Sequence, residues 1–183
     1  MELNTWFPEA RFVHVLRNPY ANIYSLRKGR RTTPDLRNTF YRPTAKSHYF
    51  MERNQRYIEN YKVVWYEDIV LRTKETMAEV ADHIDIGEHP TLQEPTFLGR
   101  MWGGNSRSTQ GSFEGIDETP VDTYRGQIST IDIALVNRYF SPLLSEYKYE
   151  RHATPKFRIW IPSGFESPVS YLKNRSFSYS KTL

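Results

Sequence analysis

The chain has 183 residues, of which 38% are hydrophobic and 15% aromatic, and this composition suits one domain with an aromatic-rich core. The net charge of +4 favours anionic ligands, but the basic residues do not form the dense stripe that is typical of a nucleic-acid binder. The absence of cysteine excludes disulfides and thiolate zinc sites and is compatible with a cytoplasmic location, and no apolar run is long enough to predict a membrane span.

A strand, a tight turn and a helix are predicted near the start of the chain. Phe12–Leu16 is an apolar, β-branched run that predicts a strand buried on both faces, as in a parallel sheet. Asn18 is suited to cap the following helix, and Pro19 is suited to its first position. Arg17 lies at the carboxyl end of the strand, where open α/β sheets bind ligands, and the helix start favours an anion.

The sequence Arg-Asn-Pro-x5-Ser after this strand resembles the 3′-phosphate-binding motif of the sulfotransferases that use PAPS, adenosine 3′-phosphate 5′-phosphosulfate, as the sulfuryl donor. The resemblance implies that Arg17 and Ser25 clamp the 3′-phosphate of this adenine nucleotide. The residues alone leave an alternative open, in which Arg17 pairs with a surface carboxylate and Ser25 is simply a small helix residue.

Residues 30–44 are basic and rich in turn-forming residues, which favours a solvated loop, although in the family this segment often borders the acceptor site. A helix is predicted over residues 45–60, and we expect His48 to lie on its surface rather than to act in catalysis. We expect His14, within the first strand, to point into the sheet packing rather than to serve as a general base.

Tyr61–Trp65 is the second predicted strand, and Tyr-Glu-Asp follows it directly. A strand followed by this triplet is the second resemblance to the sulfotransferases, and it implies that Tyr66 lies beside the adenine, where an aromatic ring contributes about 1–3 kcal/mol by stacking on a base. We expect Glu67 and Asp68 to cap helices or to form hydrogen bonds within the fold. A glycosidase or metal site is the alternative for this acidic pair, but the sequence offers no second acidic cluster.

A helix is predicted over residues 72–86, and a long irregular segment rich in glycine and proline follows over residues 87–127. This segment contains Trp-Gly-Gly-Asn-Ser-Arg-Ser-Thr, which resembles the bacterial carbohydrate-type sulfotransferases, where such a segment closes over the nucleotide. The resemblance implies that Asn105, Ser106 and Arg107 bind phosphate or sulfate oxygens, whereas a polar surface turn is the alternative.

The closing helix is predicted over residues 129–147 and resembles the final helix of the same family. Ser129 and Asp132 have the spacing of a capping box, and Pro142 predicts a kink or a tightening of the helix. The resemblance therefore rests on three motifs in the family's order and extends to about residue 150.

We expect a sulfotransferase-like domain over residues 1–150 and a C-terminal extension over residues 151–183. The fold implied by the resemblance is an α/β three-layer sandwich with a parallel sheet, like that of the P-loop NTPases, and incomplete at its N-terminus. The family's central strand and phosphosulfate loop have no counterpart before Met1, and in the tail Pro162 takes the place of the loop's basic residue.

The function implied by the resemblance is transfer of a sulfuryl group from PAPS to a hydroxyl acceptor, of which a carbohydrate is one class, without a metal. The sequence contains no Gly-x4-Gly-Lys-Ser/Thr motif and no candidate general base, so we expect weak nucleotide binding and no transfer by this chain alone. A non-catalytic remnant or interaction domain of the same fold is the alternative. An apolar sheet edge without a parallel neighbour is expected to favour self-association or a partner chain.

Overall fold

The computed structural model describes residues 5–28, 41–102, 115–147 and 149–153. These residues form a mixed α/β structure centred on two strands, β1 (Phe12–Leu16) and β2 (Tyr61–Trp65). The strands pair in parallel, with Leu16 opposite Trp65, so both end at the same edge of the sheet. The two predicted strands and their parallel pairing are thus confirmed.

The other elements of the described residues are α1 (Pro19–Lys28), α2 (Arg42–Tyr57), α3 (Tyr66–Leu71), α4 (Thr73–Ile84), a 3₁₀ helix (Pro90–Gln93), the hairpin strands β3 (Thr96–Phe97) and β4 (Arg100–Met101), α5 (Thr119–Asp122), α6 (Thr130–Tyr139) and α7 (Ser141–Glu146). The connection from β1 to β2 contains α1 and α2, as predicted. None of the helices in the described ranges combines the length and apolar character needed to cross a bilayer.

Local hydrogen bonds explain where α1 begins. The Asn18 side-chain oxygen accepts a hydrogen bond from the Tyr20 backbone N–H at 2.9 Å, and Pro19 takes the first helical position. Proline is favourable there because the N–H it lacks would have no partner within the helix. The predicted cap of this helix is therefore confirmed.

The closing segment forms two helices where the sequence predicts one. Ser129 caps α6, because its hydroxyl accepts a hydrogen bond from the Asp132 N–H at 3.1 Å. The chain then breaks at Phe140, and Pro142 lies in the first turn of α7. A proline at this point cannot continue the hydrogen-bond ladder of α6, which explains the break and agrees with the predicted effect of Pro142.

Helices contact both faces of the parallel pair. α2 lies on the face that carries His14, because the Ser47 hydroxyl oxygen is 2.9 Å from His14 Nε2. Val63 lies opposite His14 in the register, so the adjacent Lys62 points to the other face. There the Lys62 ammonium lies 3.1 Å from the Glu79 carboxylate on α4. The larger three-layer, P-loop-like sandwich stays a prediction.

The prediction that β1 is buried on both faces is wrong. Leu16 is buried, but Val13 is 38% exposed and Val15 is 48% exposed. Among the described residues β1 pairs with β2 alone. No described strand lies along the other edge of β1, so the sheet does not extend there to support further packing elements.

The main core lies among α1, α2, α6 and α7 and is rich in aromatic rings, as the composition predicts. Its buried side chains are Tyr20, Ala21, Ile23, Tyr41, Ala45, Tyr124, Val136, Tyr139, Phe140, Leu143 and Leu144. His48 is also buried, with its ring centroid 6.1 Å from that of Phe140, so the expected surface position of His48 is wrong. The Nδ1 of His48 is 2.9 Å from the Thr44 carbonyl oxygen, which makes Nδ1 the protonated donor.

Candidate functional site

Arg17 and Tyr66 meet at the carboxyl ends of the two parallel strands. Leu16 and Trp65 are opposite each other in the register, so the residues that follow them leave the sheet side by side. The Arg17 Cζ lies 4.5 Å from the centroid of the Tyr66 ring, within the range of a cation–π contact. Two of the predicted site residues therefore share the edge of the sheet where α/β proteins bind ligands.

The Arg17 guanidinium is oriented by neutral groups. Its Nη2 donates a hydrogen bond to the Pro120 carbonyl oxygen at 2.5 Å, and its Nε is buried without a hydrogen-bond partner among the described residues. The ion pairs formed by those residues do not include Arg17, so the alternative pairing with a surface carboxylate is not seen there. A positively charged fork that keeps an unused donor is well suited to an anion.

Glu67 connects the ends of the two strands. Its Oε1 accepts a hydrogen bond from the Asn18 backbone N–H at 2.9 Å, while its Oε2 is buried and has no partner within the described part of the chain. Asp68 instead pairs with Arg72 at 2.9 Å, and no side chain caps α3. The predicted N-capping by this acidic pair is thus wrong for the helix they begin, and their predicted hydrogen bonding within the fold is confirmed.

Burial determines the protonation of the Tyr66 side chain. It raises the pKa of the Tyr66 hydroxyl above its ordinary value of 10.0, and the Arg17 guanidinium opposes this shift. The hydroxyl is therefore neutral at physiological pH, so Tyr66 offers a ligand an aromatic face and a hydrogen-bond donor.

His14 does not face this site. Its Nδ1 contacts the Tyr61 hydroxyl and its Nε2 contacts the Ser47 hydroxyl at 2.9 Å, so both ring nitrogens are occupied on the side of α2. Burial also lowers the pKa of the His14 imidazole. This placement agrees with the expectation that His14 packs against the sheet.

Ser25 is the remaining predicted site residue within the described ranges. Ser25 lies on the exposed side of α1. Asn105, Ser106 and Arg107 lie outside the described residues, so their roles stay predictions. No group of three or more His, Asp or Glu side chains within the described ranges is close enough to hold a metal ion.

Sequence reasoning missed two contributors to the site. Pro120 supplies the carbonyl that orients Arg17, and Glu67 binds the backbone beside it. The Pro120 contact joins segments that are far apart in the sequence and leaves no local pattern. The Glu67 contact had a usable signal, because the end of a second parallel strand is expected beside the end of the first.

Comparison with known proteins also points to the sulfotransferases. The model of the sulfotransferase family matches residues 2–90, a range that includes Arg17, Ser25 and Tyr66. A search among curated proteins found no match.

Two solved structures share the fold. The sulfotransferase domain from the curacin biosynthetic pathway has 18% identity and a TM-score of 0.54, with 79% of this chain and 54% of that chain covered. The sulfotransferase domain from the Synechococcus PCC 7002 olefin synthase has 21% identity and a TM-score of 0.53, with 77% of this chain and 50% of that chain covered. The chain thus spans about half the length of each structure. The family match and the shared fold support assignment of the chain to the sulfotransferase family, and the resemblance stated from its motifs is confirmed.

Proposed function

We propose that this chain forms the 3′-phosphate and adenine side of a PAPS site in a sulfotransferase. The observation that carries the proposal is the contact between Arg17 and Tyr66 at the carboxyl ends of β1 and β2. It joins an oriented positive charge to an aromatic face, and a phosphorylated adenine nucleotide offers a partner for each. The match to the sulfotransferase family covers both residues.

The proposed roles follow the family motifs residue by residue. Arg17 donates hydrogen bonds to the 3′-phosphate, and the Ser25 hydroxyl supplies a further donor. Tyr66 borders the adenine ring. Asn105, Ser106 and Arg107 bind phosphate or sulfate oxygens as their segment closes over the nucleotide.

The proposed reaction is attack of an acceptor hydroxyl on the sulfur of PAPS, with adenosine 3′,5′-bisphosphate as the leaving group and a carbohydrate as one acceptor class. Such a transfer depends on positioning and on electrostatic stabilisation of the charge that develops on the leaving oxygen. Residues 1–183 contain no phosphosulfate loop of the usual pattern to supply that stabilisation. We therefore propose that these residues alone bind the nucleotide weakly and do not transfer sulfate.

Exposed apolar residues on β1 support a proposal about assembly. Within the described residues β1 pairs along only one edge, and Val13 and Val15 of this strand are exposed. We propose that a second copy of the chain covers them. Light scattering of the purified chain tests this, since a monomer at all concentrations would contradict it.

The experiment for the main proposal compares adenosine 3′,5′-bisphosphate with adenosine 5′-monophosphate in ligand-observed NMR titrations of the 183-residue chain. We expect the bisphosphate to bind about ten-fold more tightly, because only it carries the 3′-phosphate that Arg17 recognises. Equal affinities would contradict the assignment. Incubation with radiolabelled PAPS and sugar, phenol and alcohol acceptors tests the second part, and acceptor-dependent release of the bisphosphate would overturn it.

A further inference from the structure

A small pocket opens beside the end of β2, with a volume of about 260 Å³. Its lining residues are Trp65, Glu67, Asp68, Tyr147 and Tyr149. The volume is below the roughly 300–1,000 Å³ of sites for drug-sized ligands, so the pocket suits a small chemical group. Three of the five side chains are aromatic and the other two are acidic.

The aromatic rings form walls at steep angles to one another. The Trp65 and Tyr147 ring centroids are 4.8 Å apart with 55° between the planes, and the Trp65 and Tyr149 centroids are 5.9 Å apart with 79° between the planes. The two tyrosine rings therefore pack on Trp65, and together the three residues give the pocket a non-planar aromatic lining instead of one flat stacking surface. Methylated ammonium groups bind in aromatic cages of this kind, and tryptophan gives the strongest cation–π attraction.

The acidic side chains make the pocket electronegative. Asp68 has a partner, because its carboxylate pairs with Arg72 at 2.9 Å. Glu67 is only half satisfied, since its Oε1 accepts the Asn18 N–H while its buried Oε2 has no partner among the described residues. Because this oxygen has almost no accessible surface, a ligand in the pocket does not bond to it directly, but the uncompensated charge of the Glu67 carboxylate attracts a cation placed beside it.

Burial keeps the hydroxyls of the two tyrosines neutral. Burial raises the pKa of Tyr149, and the carboxylates of Glu67 and Asp68 raise it further. Burial likewise raises the pKa of Tyr147 to about 12, and its hydroxyl contacts the Met51 sulfur at 3.3 Å. Both hydroxyls therefore stay neutral at pH 7, and none of the described residues that line the pocket is cationic.

We propose that this pocket binds a small methylated ammonium cation. The methyl groups contact the rings of Trp65, Tyr147 and Tyr149, and the Glu67 carboxylate attracts the positive charge. The proposal shares Glu67 with the site at the strand ends but does not rest on the sulfotransferase function, because it uses neither Arg17 nor Tyr66. Its failure is therefore distinguishable from failure of the nucleotide site.

The test uses saturation-transfer NMR on the 183-residue chain with three probes of similar size: trimethylammonium, tetramethylammonium and the neutral tert-butanol. We expect trimethylammonium to bind about ten-fold more tightly than tert-butanol, because of the cation–π and carboxylate attraction. We expect tetramethylammonium, which carries the same charge and the same kind of methyl groups, to bind within about two-fold of trimethylammonium. Equal binding of trimethylammonium and tert-butanol, or no binding of either, would overturn the proposal.

Variants assign the binding to this pocket. We expect Glu67→Gln and Trp65→Leu each to weaken trimethylammonium binding about ten-fold, because the first removes the carboxylate charge and the second removes the ring with the strongest cation–π attraction. Tyr149→Phe keeps the ring and should leave affinity within about two-fold. Tyr57→Leu is the matched control, because Tyr57 is an exposed tyrosine outside the pocket.

The outcomes are decisive even where a variant fails to fold. Unchanged affinity in a folded Glu67→Gln variant overturns the proposal. If circular dichroism shows that this variant is unfolded, the ratio of trimethylammonium to tert-butanol affinity in the unaltered chain decides. Competition by adenosine 3′,5′-bisphosphate would also overturn the proposal, because it would assign the pocket to the nucleotide base.

Discussion

The Arg17 guanidinium carbon lies 4.5 Å from the centre of the Tyr66 ring, although the two residues belong to distant segments of the chain. The parallel register produces this contact, because Leu16 and Trp65 are opposite each other and the next residue of each segment emerges at the same edge. A positive charge and an aromatic face are thereby fixed next to each other by the sheet itself. The site thus depends on strand pairing as well as on side-chain identity.

The aromatic face of Tyr66 gives the first prediction. Tyr66→Leu should weaken binding of adenosine 3′,5′-bisphosphate by about five-fold or more, because base stacking contributes about 1–3 kcal/mol and Arg17 also loses the ring that orients it. Tyr66→Phe keeps the ring and is the matched control, with affinity near that of the unaltered chain. The measurement is an NMR titration of each variant, and equal affinity in the leucine and phenylalanine variants would contradict a stacking role.

A buried carboxylate that joins three segments gives the second prediction. Asp132 on α6 pairs with Arg27 on α1 and accepts hydrogen bonds from the Tyr41 hydroxyl at 2.8 Å and the Ser129 hydroxyl at 2.6 Å. Asp132→Ala should lower the free energy of unfolding by about 2 kcal/mol, since it leaves the buried Tyr41 hydroxyl and the half-buried Arg27 guanidinium without their partner.

Urea unfolding followed by circular dichroism measures this change. Asp82→Ala is a suitable control for the removal of an aspartate, because Asp82 is exposed on α4 and its loss should change the free energy by no more than about 0.5 kcal/mol. Similar losses in the two variants would show that the Asp132 network does not stabilise the fold.

Buried histidine predicts a pH dependence of stability. Burial lowers the pKa of His48 below its ordinary value of 6.5; His14 nearby acts in the same direction, and Glu52 and the Thr44 carbonyl oppose it. The unfolded chain therefore binds more protons near pH 6 than the folded chain does. Stability is complete above about pH 6.5 and falls as the pH drops below it, by at most about 1.4 kcal/mol per pH unit for each histidine.

His48→Asn isolates the contribution of this histidine. The asparagine amide can donate to the Thr44 carbonyl in place of Nδ1 but does not titrate. We expect urea unfolding of the variant between pH 7 and pH 5 to show a shallower loss of stability than the unaltered chain. The residual slope is expected from His14, whose pKa is also lowered by burial. An unchanged slope would mean that His48 does not contribute.

Local patterns predicted much of the fold because local interactions set those features. The apolar runs of β1 and β2, the Asn18 cap and the Ser129 cap each depend on a few neighbouring residues. The break before Pro142 has a local cause as well, since proline lacks the N–H that a continuous helix requires.

Tertiary contacts account for the errors. His48 was expected at the surface because its own helix gives a weak periodicity, but Phe140 from the closing segment covers it. For Glu67, capping of a helix and hydrogen bonding within the fold were both predicted, and the parallel register decides for the second by placing its carboxylate beside the backbone of Asn18. Burial of β1 depends on elements that pack on the sheet, and the sequence of Val13 and Val15 carries no information about them.

The most direct test of the nucleotide site combines a change in the ligand with a change in the protein. The affinity ratio of adenosine 3′,5′-bisphosphate to adenosine 5′-monophosphate is measured for the unaltered chain, for Arg17→Ala and for Arg138→Ala, whose arginine is exposed on α6. If Arg17 recognises the 3′-phosphate, the unaltered chain and Arg138→Ala prefer the bisphosphate about ten-fold, and Arg17→Ala loses that preference. An Arg17→Ala variant that is folded and keeps the full preference would contradict the account.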